Sequence, residues 1–262
     1  MEITKKDFKS YLNTLFLCLL LLLVSFTVEL EFNGASVPLS ITDLVAAIIL
    51  IARSSKLKHV SKEFNAIYLT AIAIVAAIIL NPLLQILITT VSFQSAFIQL
   101  TTQLNLLSNA GNLTTEHINV IIESFVQLSD YAVLVGIIEA ILSFAPVAYL
   151  YFAISKLIKA YCEINNVDDV YLLAKQTKKT AIYHIIPSIL SIIFVWSLFY
   201  FISNVKIVDD GTILFDNGFE FGTFLLIIVS IATLVFFIVD LVQIIKCLIR
   251  INKFSKDPVL ND

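Results

Sequence analysis

The chain contains few charged residues, few glycines and almost no methionine or tryptophan. Only 14% of its residues are charged and 59% are hydrophobic, whereas soluble domains have about 25% and about 45–50%. Six Gly and one Met leave little material for a Gly-rich linker or a Met-rich binding groove. The net charge of −3 argues against the basic patch that a nucleic-acid partner requires. The apolar residues form long blocks, which predicts a membrane protein.

Patterns for catalysis, metals and cofactors are missing as well. No P-loop, HExxH, GxSxG or dinucleotide-binding glycine pattern occurs. The three histidines fall in different environments, and three distant cysteines form no CxxC pair: Cys18, Cys162 and Cys247. We therefore expect no metal site, no cofactor and no enzymatic activity.

Six apolar segments are long enough, or nearly so, to cross a membrane as helices, which takes roughly 20 residues for about 30 Å of hydrocarbon. The first segment follows three lysines and resembles a signal peptide, but its length and the lack of a nearby cleavage site favour an uncleaved span. The second segment is short. We predict one all-α integral membrane domain over residues 1–262, a polytopic bundle with transmembrane helices at about 11–29, 38–55, 66–91, 131–155, 182–204 and 221–246.

The basic residues test this assignment. With six spans, 16 of the 17 Lys and Arg residues lie on one side of the membrane and only Lys206 lies on the other. The positive-inside rule places the basic side, with both termini, in the cytoplasm. Without the short second span, the basic cluster at 53–62 would lie on the wrong side. We therefore expect a protein of the cell membrane, plasma or inner, with both termini cytoplasmic.

Two connections are long enough to fold. Residues 92–130 contain no Lys or Arg and carry two apolar stripes at helical spacing, which predicts an external amphipathic helical hairpin. The hairpin either packs on the spans as a cap or extends as an arm that binds a partner. Residues 156–181 predict a cytoplasmic helical linker, because within 165–179 Asp168 and Asp169 precede three lysines, the order that a helix dipole favours.

An ionisable residue inside a membrane is a functional hypothesis by default. Glu139 lies about 12 Å from the outer end of the predicted fourth span, close to mid-membrane. Its helical face also carries Ser143 and several small residues, which suit close helix packing. Asn81 and Gln85 share one face of the third span at a comparable depth. These four residues form a candidate substrate or ion pathway; the alternative is that they only hold helices together.

A second candidate is a polar pair at the inner boundary. His184 opens the predicted fifth span and Asp240 closes the sixth. If these spans form an antiparallel hairpin, the two side chains are nearly level. Such a pair could carry protons; the alternative is two interfacial groups wetted by headgroup water.

Three functions compete for this chain. We favour a multi-pass membrane protein with a non-catalytic structural or accessory role, whose polar residues act between helices. The first alternative is a small transporter or channel with a polar site around Glu139, although the prolines show no pairing between two repeats. An intramembrane enzyme is the weakest alternative. The expected partners are the lipid bilayer and a second copy of the chain or another membrane protein, with no nucleic acid.

Overall fold

Over the described part of the chain the fold is helical, as the predicted all-α class requires, and two short antiparallel strand pairs occur in the connections. The computed structural model describes residues 4–32, 35–88, 90, 93–110, 115–165, 171–207, 213–216 and 218–256. The helices are α1 (Lys5–Val24), α2 (Ile41–Ser55), α3 (Lys62–Ile88), α4 (Gln94–Ala110), α5 (Thr115–Glu139), α6 (Ala145–Asn165), α7 (Tyr171–Ser203) and α8 (Phe219–Ser255). The strands are β1 (Thr27–Phe32), β2 (Ala35–Ser40), β3 (Val205–Ile207) and β4 (Ile213–Phe215).

Several helices suit a membrane. Within the described residues, five helical stretches are long and apolar enough to cross one: Lys5–Val24, Lys62–Ile88, Ile118–Asn165, Tyr171–Ser203 and Phe219–Ser255. Only 11–33% of the apolar part of each is buried inside the protein. On α8, exposed apolar side chains occur from Phe221 to Ile249, and such a surface is stable in lipid rather than in water. The chain is therefore consistent with an integral membrane protein.

The count of six spans stays a prediction. Helix α2 has 15 residues and is about 22 Å long at the helical rise, shorter than a typical hydrocarbon core. Ser40 caps it by accepting a hydrogen bond from the backbone N–H of Asp43. One face of α2, including Ala46, Ala47 and Leu50, is fully buried.

Most predicted span boundaries differ from the helix ends. The first span ends at Val24 rather than at 29, because a strand begins at Thr27, and α6 continues to Asn165 rather than ending at 155. Helix α5 continues without a break through residue 131, because no Pro or Gly interrupts Ser129-Asp130-Tyr131. The second helix of the predicted 92–130 hairpin and the start of the predicted fourth span are therefore one helix. The turn between α4 and α5, at 111–114, lies outside the described residues, so the hairpin stays a prediction. Helix α7 begins at Tyr171, so the end of the predicted 156–181 linker belongs to it.

The connection between α1 and α2 is a β-hairpin. Helix α1 ends where Ser25 adopts φ 35° and donates its backbone N–H to the carbonyl of Leu21, a left-handed helix termination. Strands β1 and β2 then pair antiparallel, from Thr27 opposite Ser40 to Phe32 opposite Ala35.

The chain forms two compact units. The first comprises Met1–Leu83, Glu139–Pro187 and Phe236–Asp262. Its core is fully buried around aromatic rings: Phe8 stacks on Tyr161 with ring centroids 3.6 Å apart, and Tyr11 meets Phe64 edge-on at 4.8 Å. The hydroxyl groups of Tyr11 and Ser54 lie 2.6 Å apart and link α1 to α2. The three cysteines are free thiols buried in this unit.

The second unit comprises Leu84–Ile138 and Ser188–Val235. Glycines allow close helix contacts here: a Cβ added at Gly136 would lie 3.2 Å from Cγ1 of Ile192, and one at Gly222 would lie 3.3 Å from the Cα of Phe201. Small residues at such contacts are typical of helices packed in lipid.

Candidate functional site

Helices α7 and α8 carry facing polar side chains in the first compact unit. Gln176, Thr177, Thr180 and His184 on α7 meet Asp240, Gln243 and Cys247 on α8. We call this set the α7–α8 polar ladder. Higher residue numbers on α7 pair with lower numbers on α8, so the two helices run antiparallel along it.

Gln243 lies at the centre of the ladder and accepts hydrogen bonds from two residues of α7. The side-chain amide of Gln176 donates to Oε1 of Gln243 over 2.9 Å, and both residues are buried. The hydroxyl of Thr180 donates to the backbone carbonyl of Gln243 over 3.2 Å. The hydroxyl of Thr177 lies 3.6 Å from the thiol of Cys247. Buried polar groups are stable only when they are paired, and these groups pair with one another.

The predicted pair of His184 and Asp240 closes the ladder at one end. The structure places Nδ1 of His184 3.0 Å from Oδ2 of Asp240. The rings of Phe144 and Tyr151 lie 5.6 Å and 6.1 Å from the imidazole ring. An ionised carboxylate can only accept, so where Asp240 is ionised the imidazole faces it with Nδ1–H. Sequence reasoning identified this pair, and its role in proton movement stays a prediction.

Among the residues that the structure describes, none gives a hydrogen bond to Oδ1 of Asp240. Asp240 is 7% exposed, and its Oδ1 is buried without a donor among the described residues. A buried acceptor in this state destabilises the fold by roughly 1–3 kcal/mol. The bond from His184 therefore satisfies only half of this carboxylate.

The sequence predicted His184 and Asp240 but not the other polar residues of the ladder. Gln176, Thr180 and His184 recur every four residues, which places them on one helical face. The predicted linker hid this period, because it assigned Gln176 and Thr180 to a segment separate from the fifth span. Reading the four-residue period back from His184 would have found them.

Two of the predicted pathway residues, Glu139 and Ser143, lie at a backbone irregularity. Glu139 ends α5 and is followed by a π-helical turn, Ala140–Phe144, in which the N–H of Ala145 bonds to the carbonyl of Ala140. Pro146 follows and has no N–H to give to an α-helical bond. In the π-helical turn the backbone hydrogen bond joins residues five apart instead of four. The hydrogen-bond register of the helix therefore changes immediately before Pro146.

A hydrogen bond joins two of the four predicted pathway residues. The side-chain amide of Asn81 donates to the hydroxyl of Ser143 over 3.4 Å. Glu139 is half-buried and belongs to the same compact unit as these two, whereas Gln85 belongs to the second unit. Ser143 lies inside the π-helical turn.

Fold and site together define a class: a helical protein with several helices apolar enough to span a membrane. No protein-family model, curated protein or solved structure matches this chain.

Proposed function

We propose that the chain is a multi-pass protein of the cell membrane with six spans and both termini in the cytoplasm. The five long apolar helices support this, and α2 supplies a sixth with an exposed apolar face that includes Val45 and Ile48. With six spans, 16 of the 17 Lys and Arg residues lie on one side of the membrane and only Lys206 lies on the other. That segregation agrees with the positive-inside rule.

Thiol labelling tests the topology. Single cysteines at Thr4 and Lys256, both exposed, should react with an impermeant maleimide only after the cell membrane is opened. A cysteine at the exposed Asp216 should react in intact cells. Labelling of the positions at Thr4 and Lys256 from opposite sides would contradict an even number of spans.

The role we propose is non-catalytic: the bundle is a structural or accessory membrane protein, with lipid and a second copy or another membrane protein as partners. The α7–α8 polar ladder carries this proposal. Its buried side chains bond to one another, as at Gln176 and Gln243, and polar groups of this kind act as attachments between helices. A dedicated transport site would instead present several such groups to a passing substrate.

A small transporter or channel is the second candidate, and the π-helical turn favours it. Single π-turns inside α-helices occur frequently at functional sites, and this one directly follows Glu139 and contains Ser143. An acid inside a candidate span also marks ion pathways in general.

Glu139→Gln separates the two roles. In proteoliposomes, a structural role predicts that the variant changes thermal stability and leaves proton and ion flux equal to wild type. A transport role predicts that a proton-dependent flux is present in wild type and lost in the variant at normal expression. Glu163→Gln is the matched control, because Glu163 is exposed at the end of α6.

A further inference from the structure

A groove in the second compact unit lies between α5 and α7. It has a volume of about 540 Å³ and is lined by residues that include Ser129, Asp130, Leu134, Trp196, Tyr200 and Ser203. We call it the α5–α7 groove. Binding sites for small molecules have volumes of about 300–1,000 Å³ and combine apolar walls with a few polar groups. This groove has both properties.

The groove has a polar end and an apolar end. Gly136 of α5 packs against Ile192 of α7, since a Cβ there would lie 3.2 Å from Ile192. Most of the lining residues lie on one side of this contact along the two helices. Ser203, the last residue of α7, and Asp130 lie away from it along their helices, whereas Leu134 and Trp196 lie nearer. A molecule in the groove therefore meets a carboxylate at one end and apolar side chains at the other.

The charge of the groove is negative. Of the lining residues that the structure describes, Asp130 is the one that carries a charge, and it is exposed. Helix α7 ends at Ser203, and a helix C-terminus carries a partial negative charge. The sequence of the second unit contains seven Asp and Glu residues against one Lys or Arg, Lys206. These features attract a cation.

An aromatic pair suits the same ligand. The rings of Trp196 and Tyr200 stack with centroids 5.6 Å apart and an interplanar angle of 24°. Trp196 is 49% exposed. Exposed aromatic rings of this kind give the apolar body of a ligand a flat surface to pack on.

We propose that the α5–α7 groove binds a lipophilic organic cation, a molecule with an ammonium group on an apolar body. The ammonium group lies by Asp130 and the C-terminus of α7, and the apolar body lies by Leu134 and Trp196. A phospholipid with an amine headgroup fits less well. Its phosphate would come close to the same negative groups, and no Lys or Arg is in the lining that the structure describes.

Trp196 reports binding directly, because the chain has one tryptophan. The purified full chain in a nonionic detergent is titrated with dodecyltrimethylammonium, and Trp196 emission is followed. We expect a saturable change, and half-saturation with neutral 1-dodecanol at a concentration at least about tenfold higher. Equal responses to both probes would overturn the proposal, because the charge would then have no part in binding.

Substitutions at Asp130 test the same point. Asp130→Asn should raise the half-saturating concentration about tenfold, and Asp130→Glu should stay within about threefold of wild type. Glu123→Gln is the matched control, since Glu123 is exposed two turns earlier on α5 and is not among the lining residues. Thermal unfolding checks that each variant folds. An unchanged affinity in folded Asp130→Asn would overturn the proposal.

Adding phosphatidylethanolamine distinguishes the two sources of an ammonium group. We expect the half-saturating concentration of the probe to stay unchanged. Competitive displacement by this lipid would overturn the assignment to a free lipophilic cation, because a headgroup would then be the occupant.

Discussion

The hydrogen bond between Gln176 and Gln243 gives the sharpest test of the α7–α8 polar ladder. Both side chains are buried, and the amide of one donates to the amide oxygen of the other over 2.9 Å. Gln176→Leu removes the donor and leaves the amide of Gln243 buried without it. Stranding a buried polar group lowers the free energy of unfolding by about 1–3 kcal/mol. Gln243→Leu should have a similar effect, because it strands Gln176.

The double variant should behave differently from the sum. With leucine at both positions no side-chain amide is left unpaired, and replacing both partners of a bond by apolar groups is nearly neutral. We expect the double variant to be more stable than additivity predicts by about 1 kcal/mol, a coupling energy typical of residues in contact. Thr180 still donates to the backbone carbonyl of residue 243 in every variant, so the helices keep one link.

Unfolding of the detergent-solubilised protein by sodium dodecyl sulfate measures all four free energies. Gln99→Leu is the matched control, because Gln99 is exposed on α4, and it should change stability by less than about 0.5 kcal/mol. Additive effects of the two ladder substitutions would refute the reasoning, since two residues joined by a buried bond cannot act independently.

Three further substitutions address packing, and the same unfolding assay measures each. Gly136→Leu should destabilise by about 1–3 kcal/mol, because its side chain would overlap Ile192; an unchanged stability would contradict the close contact. Tyr161→Phe should stabilise by up to about 1 kcal/mol, because the buried hydroxyl has no partner among the described residues while the ring stays stacked on Phe8; a loss of stability would reveal a partner. Ser155→Ala should destabilise by about 0.5–1.5 kcal/mol, since its hydroxyl donates to a carbonyl of α7 over 2.7 Å, and no change would show that this bond is replaceable.

The helices could be predicted because long apolar runs have few alternatives in lipid. The hairpin of β1 and β2 was missed, although Val28, Leu30 and Phe32 alternate strictly with polar residues. That two-residue period indicates a strand, but the first span was extended to residue 29 and the rest was assigned to a loop.

Details of the candidate site were less accessible to sequence reasoning. The pairing of His184 with Asp240 followed from their depth in two adjacent spans, because an antiparallel hairpin fixes which positions are level. The π-helical turn after Glu139 could not be predicted in the same way. Pro146 indicates that a backbone bond is lost, but a kink, a helix end and a change of register all accommodate that loss.

Burial of Cys18, Cys162 and Cys247 has a chemical consequence. Alkylating agents and oxidants attack the exposed thiolate, so the native fold shields all three cysteine sulfurs. Heat or detergent that opens the first compact unit will release up to three reactive groups. The mass that an alkylating agent adds to the protein therefore measures unfolding of this core: it is zero in the folded state and rises as the cysteines become exposed.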